Sequence, residues 1–335
     1  MSGIACAGNW ILDRIKTIDN WPNERELASI LEETTGPGGS PFNVLIDLKK
    51  MGAPFPLLGM GCIGKDSAGE EIIKICKKYS LETRYLSRVS NAATSYTDVM
   101  NVKNGGSRTF FHSRGANKIF SKKHVPLAYL KKNSFKLFHL GYLLLLDTLD
   151  KPDSTYGTKA AALLKAALDN GLETSVDLVS ESGNRFKSIV SHALPYTDHL
   201  IINEEEAGKL TNCSVRDKKG KLDLTKTKKA SIDLLKMGVR KTVVIHYPEG
   251  AIWIDKKENF YQTKSLNIPK AKIVGSAGAG DAFCAAILYG LHENWTPKET
   301  LNIACATAAA CLGAANTVDG VQSLKKIKSL MKRWK

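Results

Sequence analysis

Residues 275–291 read GSAGAGDAFCAAILYGL. Three small residues, Gly278, Ala279 and Gly280, stand directly before an apolar run that continues as the helical pattern DAFCAAILYGLHEN. Small side chains let backbone N–H groups converge on a tetrahedral oxyanion, and the helix dipole adds positive potential there. Asp281 falls in the first turn, so its carboxylate faces the same point. Donors for phosphoryl oxygens beside a base for a hydroxyl proton are what phosphoryl transfer to an alcohol needs. Taken without its surroundings, the segment also fits a tight turn with an ordinary acidic residue at a helix start.

Upstream, from about residue 120, strands and helices alternate. KLFHLGYLLLL reads as a buried strand, TKAAALLKAALDNG as an amphipathic helix closed by Gly171, and ETSVDLVS as the next strand. HLIIN is another strand and EEEAGKL opens a helix. TVVIHY and AIWIDK are strands around a turn at Pro248-Glu249-Gly250, and NIACATAAACLGAA is a further helix. This spacing predicts right-handed crossovers and an α/β fold, a doubly wound, mostly parallel sheet flanked by helices. TSYTDVMNV and SRTFFHS break the alternation; the Lys103-Asn104-Gly105-Gly106 stretch between them predicts a hairpin. Together with part of residues 10–20 they are expected to form a small β-sheet lid, spanning about 10–20 and 92–115, on a single domain of residues 1–335.

Composition narrows the function classes. With 335 residues, 43% of them hydrophobic and 24% charged, the chain can bury a sizeable core and is not a disordered segment. Its longest apolar run, around GYLLLLD, is strand length, so no membrane span is expected. MSGIACAGNW lacks a basic stretch followed by a long apolar one, and the seven cysteines include no C-x-x-C pair. A cytoplasmic protein with reduced thiols is the expectation. The net charge of +15 comes from 48 Lys+Arg against 33 Asp+Glu. The excess sits in short clusters such as Lys77-Lys78, Lys131-Lys132 and Lys228-Lys229 with no aromatic interleaving, which reads as solvated faces rather than a nucleic-acid site.

Further stretches carry candidate chemistry. In LIINEEEAGKL, Asn203 ends a strand and Glu206 follows three residues later, a capping-box spacing. The same pair would point from a strand's carboxyl end into a ligand crevice, toward phosphate or water on Mg²⁺. In TGPGGSPFNVLIDLKKMGA, Gly38 and Gly39 permit close backbone approach, and Asn43 opens an amphipathic helix. Asp13, in or beside an early strand, could accept two sugar hydroxyls. Arg108 and His112 share a strand face with Phe110, and Arg114 joins them if the strand continues; they could meet an acidic or phosphorylated sugar. GMGCIG at 59–64 is a literal G-x-G-x-x-G, but the helix signal begins only at Asp66 or Ser67. Its glycines are therefore expected in strand and loop rather than at a pyrophosphate-binding helix end.

In this order GNWILD, GGSPFN, GMGCIGKDSAG, INEEEA and GSAGAGDAF resemble the ribokinase-like carbohydrate kinases, the PfkB family, over nearly the whole chain. The resemblance implies ATP-dependent transfer of the γ-phosphoryl group to a hydroxyl of a sugar or sugar-like substrate. Asp281 matches the family's catalytic base, and Gly278, Ala279 and Gly280 its anion hole. Asn203 and Glu206 match its N-x-x-E motif for Mg²⁺ and phosphate, Glu206 acting through water without a direct protein ligand to the metal. Asp13, Gly38, Gly39 and Asn43 match substrate-contacting positions, and Asn316 is placed near the adenine. Two departures stand out. Gly275-Ser276-Ala277 replaces the usual Asp-Thr-Thr lead-in, which leaves a monovalent cation open, and His246-Tyr247-Pro248 replaces the usual Thr-x-Gly. The partner expected is a small sugar, with neither nucleic acid nor membrane, and a homodimer through the lid stays open. The competing readings are a nucleoside kinase of the same fold, a kinase-fold binding protein without catalysis, and an NAD-dependent oxidoreductase built on GMGCIG and Glu82.

Overall fold

A strand that is apolar on both faces has to be covered on both faces, and the chain meets that demand by strand–helix repeats. The computed structural model describes residues 2–103, 108–181 and 185–334. Its first part holds β1 (Ile4–Gly8), β2 (Ile11–Ile18), β3 (Ile30–Gly38), α1 (Ser40–Met51), β4 (Leu57–Gly64), α2 (Ser67–Lys78) and β5 (Glu82–Val89). Next come β6 (Tyr96–Val102), β7 (Arg108–Ser113), α3 (Leu127–Lys132), β8 (Leu137–Leu143), α4 (Asp147–Asp150) and the two-residue strands β9 (Pro152–Asp153) and β10 (Gly157–Thr158). They are followed by α5 (Lys159–Asp169), β11 (Glu173–Leu178), α6 (Phe186–Ala193), β12 (His199–Asn203), α7 (Glu204–Thr211) and α8 (Leu224–Lys236). β13 (Thr242–Tyr247), β14 (Gly250–Asp255), β15 (Phe260–Lys264), α9 (Ala279–His292), α10 (Pro297–Cys311) and α11 (Leu324–Arg333) complete the order.

Nine strands make one sheet in the order β15-β14-β13-β12-β11-β8-β1-β4-β5. All pairs from β13 to β5 are parallel, and β14 and β15 add an antiparallel edge. Successive residues face opposite sides. Leu200 and Ile202 of β12 join one apolar cluster with Leu163 of α5 and Leu234 of α8, while Ile201 joins another with Leu45 of α1 and Phe283 of α9. The order reverses at β1, which has β4 on one side and β8 on the other. A crevice outside the carboxyl ends of strands at such a switch point is where open α/β sheets bind ligands.

The second sheet has the order β3-β2-β6-β7, with β2 and β6 parallel and the other pairs antiparallel. β3 is absent from the sequence-based reading. Its residues 30–35 are all exposed, so no period-2 burial pattern marks it, yet it pairs along β2 from Gly38 to Ile30. The expected hairpin turn falls on residues 104–107, outside the described residues. α1 begins at Ser40, three residues earlier than the Asn43 start read from sequence. Gly39 caps it at φ 86°, and Pro41 fits the first turn because the N–H it lacks has no helical partner there. Lys77-Lys78 and Lys131-Lys132 fall in the last turns of α2 and α3, where cations complement the helix dipole. Among the described residues no helix is long and apolar enough to cross a membrane.

GMGCIG lies wholly within β4, and α2 starts after its own cap, Asp66, which accepts from the Gly69 N–H at 2.8 Å. Gly59 and Gly61 make room for an indole, while Gly64 lies against the Thr94 N–H. A Cβ on Gly61 would come within 2.0 Å of Trp10 Cδ1, and one on Gly59 within 2.6 Å of Trp10 Cζ2. The Trp10 Nε1–H donates to the Met60 carbonyl at 3.0 Å, and the ring stacks on Phe42 of α1 at 4.5 Å between centroids. Replacing Gly61 by Ala is expected to destabilise the fold by about 1–3 kcal/mol through overpacking, read as a lowered denaturant midpoint with unchanged m.

Candidate active site

Two cavities meet at the N-terminus of α9. The first, about 480 Å³, is walled by the carboxyl ends of the large sheet through Tyr142, Asp177, Asn203 and His246. Asp13, Thr97, Phe110 and His112 of the small sheet cover it, and Asn43 and Asp281 complete it. The second, about 620 Å³, is mostly apolar, with Leu266, Ile268, Phe283, Ala308 and Leu312 in its wall. Asn203, His246, Ser276 and Gly280 line both. One cavity therefore suits a hydroxylated ligand, the other a flat apolar group, and a helix N-terminus stands between them.

That helix end is built for an anion. Gly278 is its N-cap at φ 79°, and no side chain bonds to the cap. Only glycine fits here, because a Cβ would come within 2.2 Å of the Thr317 carbonyl oxygen. Asp281, in the first turn, is 5% exposed. Asn43 Nδ2 donates to its Oδ2 at 2.7 Å, and the Tyr142 hydroxyl donates to its Oδ1 at 2.7 Å. The Thr317 hydroxyl lies 3.1 Å from Asn43 Oδ1 and 2.7 Å from the Pro37 carbonyl oxygen, so the amide is held from its other side. Burial first, and the neighbouring Asp177 charge second, push the Asp281 carboxyl up to about 6 against those two donors. A carboxylate with such a value is a competent base near neutral pH.

Asp13, on β2, pairs in register with Gly36 and Thr97, and desolvation followed by the Asp281 charge raises its pKa well above the usual range. Gly38 lets this carboxylate in, since a Cβ there would lie 2.3 Å from Asp13 Oδ1. Asn203 and Glu206 form the capping box: Asn203 Oδ1 accepts from the Glu206 N–H at 2.8 Å, and Glu206 Oε2 from the Asn203 N–H at 3.0 Å. Both also line the first cavity, so capping and ligand-facing positions coexist. Burial pushes Glu206 up to about 7, opposed by the Asn203 N–H and the Ser180 hydroxyl. Asp177, Ser180, Asn203 and Glu206 offer only oxygen donors on this wall, and Asp177 Oδ1 is buried without a partner. A hard, all-oxygen set of this kind fits Mg²⁺.

Four residues read from the sequence do not line the cavities: Gly38, which makes room for the Asp13 carboxylate, Arg114, which lies beyond the end of β7 and pairs with Asp147, and Asn316 and Arg108. Asn316 turns back on its own loop, donating to Asp319 Oδ2 at 2.7 Å and accepting from the Asp319 N–H at 2.8 Å. It lies beside Gly36, away from the apolar cavity. Arg108 shares its strand face with Phe110 and His112 as the alternation requires, but its long side chain reaches past the cavity to Gly275. Ala279 lines the apolar cavity, Gly39 the polar one. Tyr142 and Asp177 escaped the sequence reading. Each lies near the carboxyl end of a buried strand that carries other polar residues, His139 in β8 and Thr174 and Ser175 in β11, so only the carboxyl-end position could have flagged it.

The chain matches the profile described as pfkB family carbohydrate kinase over residues 1–324. A ribokinase of Arabidopsis thaliana is 24% identical over 318 residues, covering 94% of this chain and 77% of that protein. A 5-dehydro-2-deoxygluconokinase of Clostridium perfringens is 22% identical over 307 residues, covering 89% and 84%. Among solved structures, Arabidopsis thaliana ribokinase complexed with ribose and ATP superposes with a TM-score of 0.79 at 23% identity, covering 99% of both chains. Ribokinase from Giardia lamblia also gives 0.79, at 18% identity and 99% coverage of both. The match of fold and of profile over nearly the whole length carries one conclusion: the chain belongs to the pfkB family of carbohydrate kinases.

Proposed function

We propose that this carbohydrate kinase seats ATP with its base in the apolar cavity and its phosphates at the N-terminus of α9, and seats its sugar beneath the small sheet. The observation that carries the reading is the meeting of the two cavities at Gly278–Gly280, with Asp281 on the polar side. Asp281 takes the proton from the attacking hydroxyl while the amides of residues 278–280 hold the equatorial oxygens of the transferred group. Asn43 and Tyr142 fix the carboxylate during this step, and Asp13 accepts sugar hydroxyls. The small sheet acts as a lid that keeps water, a competing acceptor, from the phosphoryl group. Arg108 serves the phosphates rather than the sugar. Its half-buried guanidinium lies beside Gly275 and has no carboxylate partner among the described residues.

Asp177 and Glu206, with Asn203 and Ser180, would hold Mg²⁺, directly or through water. When bound, the ion offsets phosphate charge. On the outer face of the small sheet Leu31 and Phe111 are exposed, and Trp21, also exposed, stacks on Phe111 at 6.2 Å. This face fits a second copy of the chain, giving a homodimer through the lid. Sedimentation should then show a dimer that Phe111→Asp dissociates; a wild-type monomer at micromolar concentration rules the dimer out.

Asp281→Asn is expected to fold normally and to lose roughly 10²-fold or more in kcat, measured as ADP release with a sugar acceptor. Near-wild-type turnover would remove Asp281 from the role of base. Because the base must be ionised, kcat/KM should rise with pH through about 6 and level off above it. In Asp177→Asn the limb should move to lower pH, since the Asp177 charge is one cause of the elevated value. A pH–rate profile of the two proteins checks both statements.

A further inference from the structure

We infer that the acceptor cavity is built for a sugar bearing no anionic group, and that it rejects sugar acids and phosphorylated sugars. The inference rests on the kinase reading above and concerns the charges in the cavity wall. Its ionisable carboxyl groups are Asp13, Asp177, Glu206 and Asp281, and neither Lys nor Arg lines it. Residues 104–107 and 182–184 contain no cationic residue in the sequence, so they add none.

The two histidines of the wall do not change the balance. Burial holds His246 down at about 4, and burial together with Arg114 does the same for His112, so both rings are neutral at physiological pH. The nearest guanidinium groups are engaged elsewhere. Arg114 donates to Asp147 at 2.6 Å, to Glu181 at 3.4 Å and to the Leu144 carbonyl at 2.8 Å. Arg185 pairs with Glu181 at 2.7 Å and Asp150 at 3.3 Å. Arg108 lies against Gly275, on the approach to the anion hole. A carboxylate or phosphate on the sugar would find no cationic side chain in this wall to pair it.

An uncharged polyol meets complementary groups. Asp13 is an acceptor over the cavity, and His112 Nε2, on another of its lining residues, is buried without a partner. Hydroxyl groups can donate to the carboxylates and can either donate to or accept from a neutral imidazole. Phe110 and Ile11 supply an apolar surface for the carbon face of a ring.

The test uses the full-length protein with ATP and Mg²⁺, and reads ADP release and sugar-induced thermal stabilisation in parallel. The panel contains D-ribose, D-fructose, D-gluconate, 5-dehydro-2-deoxy-D-gluconate and D-fructose 6-phosphate. The best uncharged sugar should exceed every anionic one by roughly 100-fold in kcat/KM, which is about 2.8 kcal/mol for an anion left without a cation. Phe110→Arg, at a site 58% exposed and able to accept a long side chain, should narrow that ratio by about 10-fold in favour of the anionic sugars. Equal or better turnover of an anionic sugar overturns the inference and leaves the kinase reading standing. Stabilisation by uncharged sugars without any turnover supports the inference and overturns the kinase reading. Stabilisation by anionic sugars alone, or by none, overturns the inference.

Discussion

A carboxylate taken out of water must find donors for its oxygens, and the way Asp281 finds them sets the arrangement of the site. One donor comes from α1 through Asn43, the other from β8 through Tyr142, while the carboxylate itself rides on α9. Thr317, on the turn after α10, holds the far side of the Asn43 amide. Four segments distant in sequence are therefore joined in one hydrogen-bond network, two of them donating to the carboxylate of a third and the fourth bracing one donor. The packing that brings them there is ordinary α/β packing, with α9 buried almost all round between α1 and α10. The chemistry is local, and the precision of its placement is a property of the whole sheet and its helices.

Charge divides the molecule as cleanly as packing does. The chain is strongly basic, yet the wall of the polar cavity is acidic. The lysines lie at helix ends and on solvated faces, where they cost little, and the carboxylates gather where burial raises their proton affinity. The departures from the family pattern, Ser276 and His246, fall on residues that line both cavities. His246 packs its ring against Phe283 at 5.0 Å between centroids and carries no charge there. Sequence change at this seam bears on the shape of both cavities, while Asp13, Asn43 and Asp281, at positions that match the family pattern, line the first.

Much of the fold was legible because burial imposes periods on sequence. HLIIN and TVVIHY read as strands, and the helix after Gly280 as a helix, since each must satisfy two covered faces or one apolar surround. β3 was invisible for the converse reason: most of it is exposed, and what makes it a strand is pairing with β2. The glycines of GMGCIG match a phosphate-loop expression, but Gly59 and Gly61 answer to the width of a tryptophan ring forty-nine and fifty-one residues upstream and Gly64 to the Thr94 backbone, and no local pattern encodes that. In the site, residues within ordered motifs were readable. Tyr142 and Asp177 were not, because their partners lie more than a hundred residues away. Arg108 shows a further limit. Alternation gives the strand face correctly and says nothing about where a long side chain ends.

The helix end at Gly278 has a consequence beyond catalysis. A helix start capped by glycine offers its first-turn amides no side-chain acceptor, and the Ala279 N–H meets only the Ser276 carbonyl at a long 3.4 Å. A phosphate seated there, as proposed above, would supply further acceptors. Occupancy and persistence of the fold would then be linked by mass action, and the population that resists unfolding and proteolysis would grow with the nucleotide concentration around it. On that reading the protein's lifetime becomes a readout of the supply of its own phosphoryl donor.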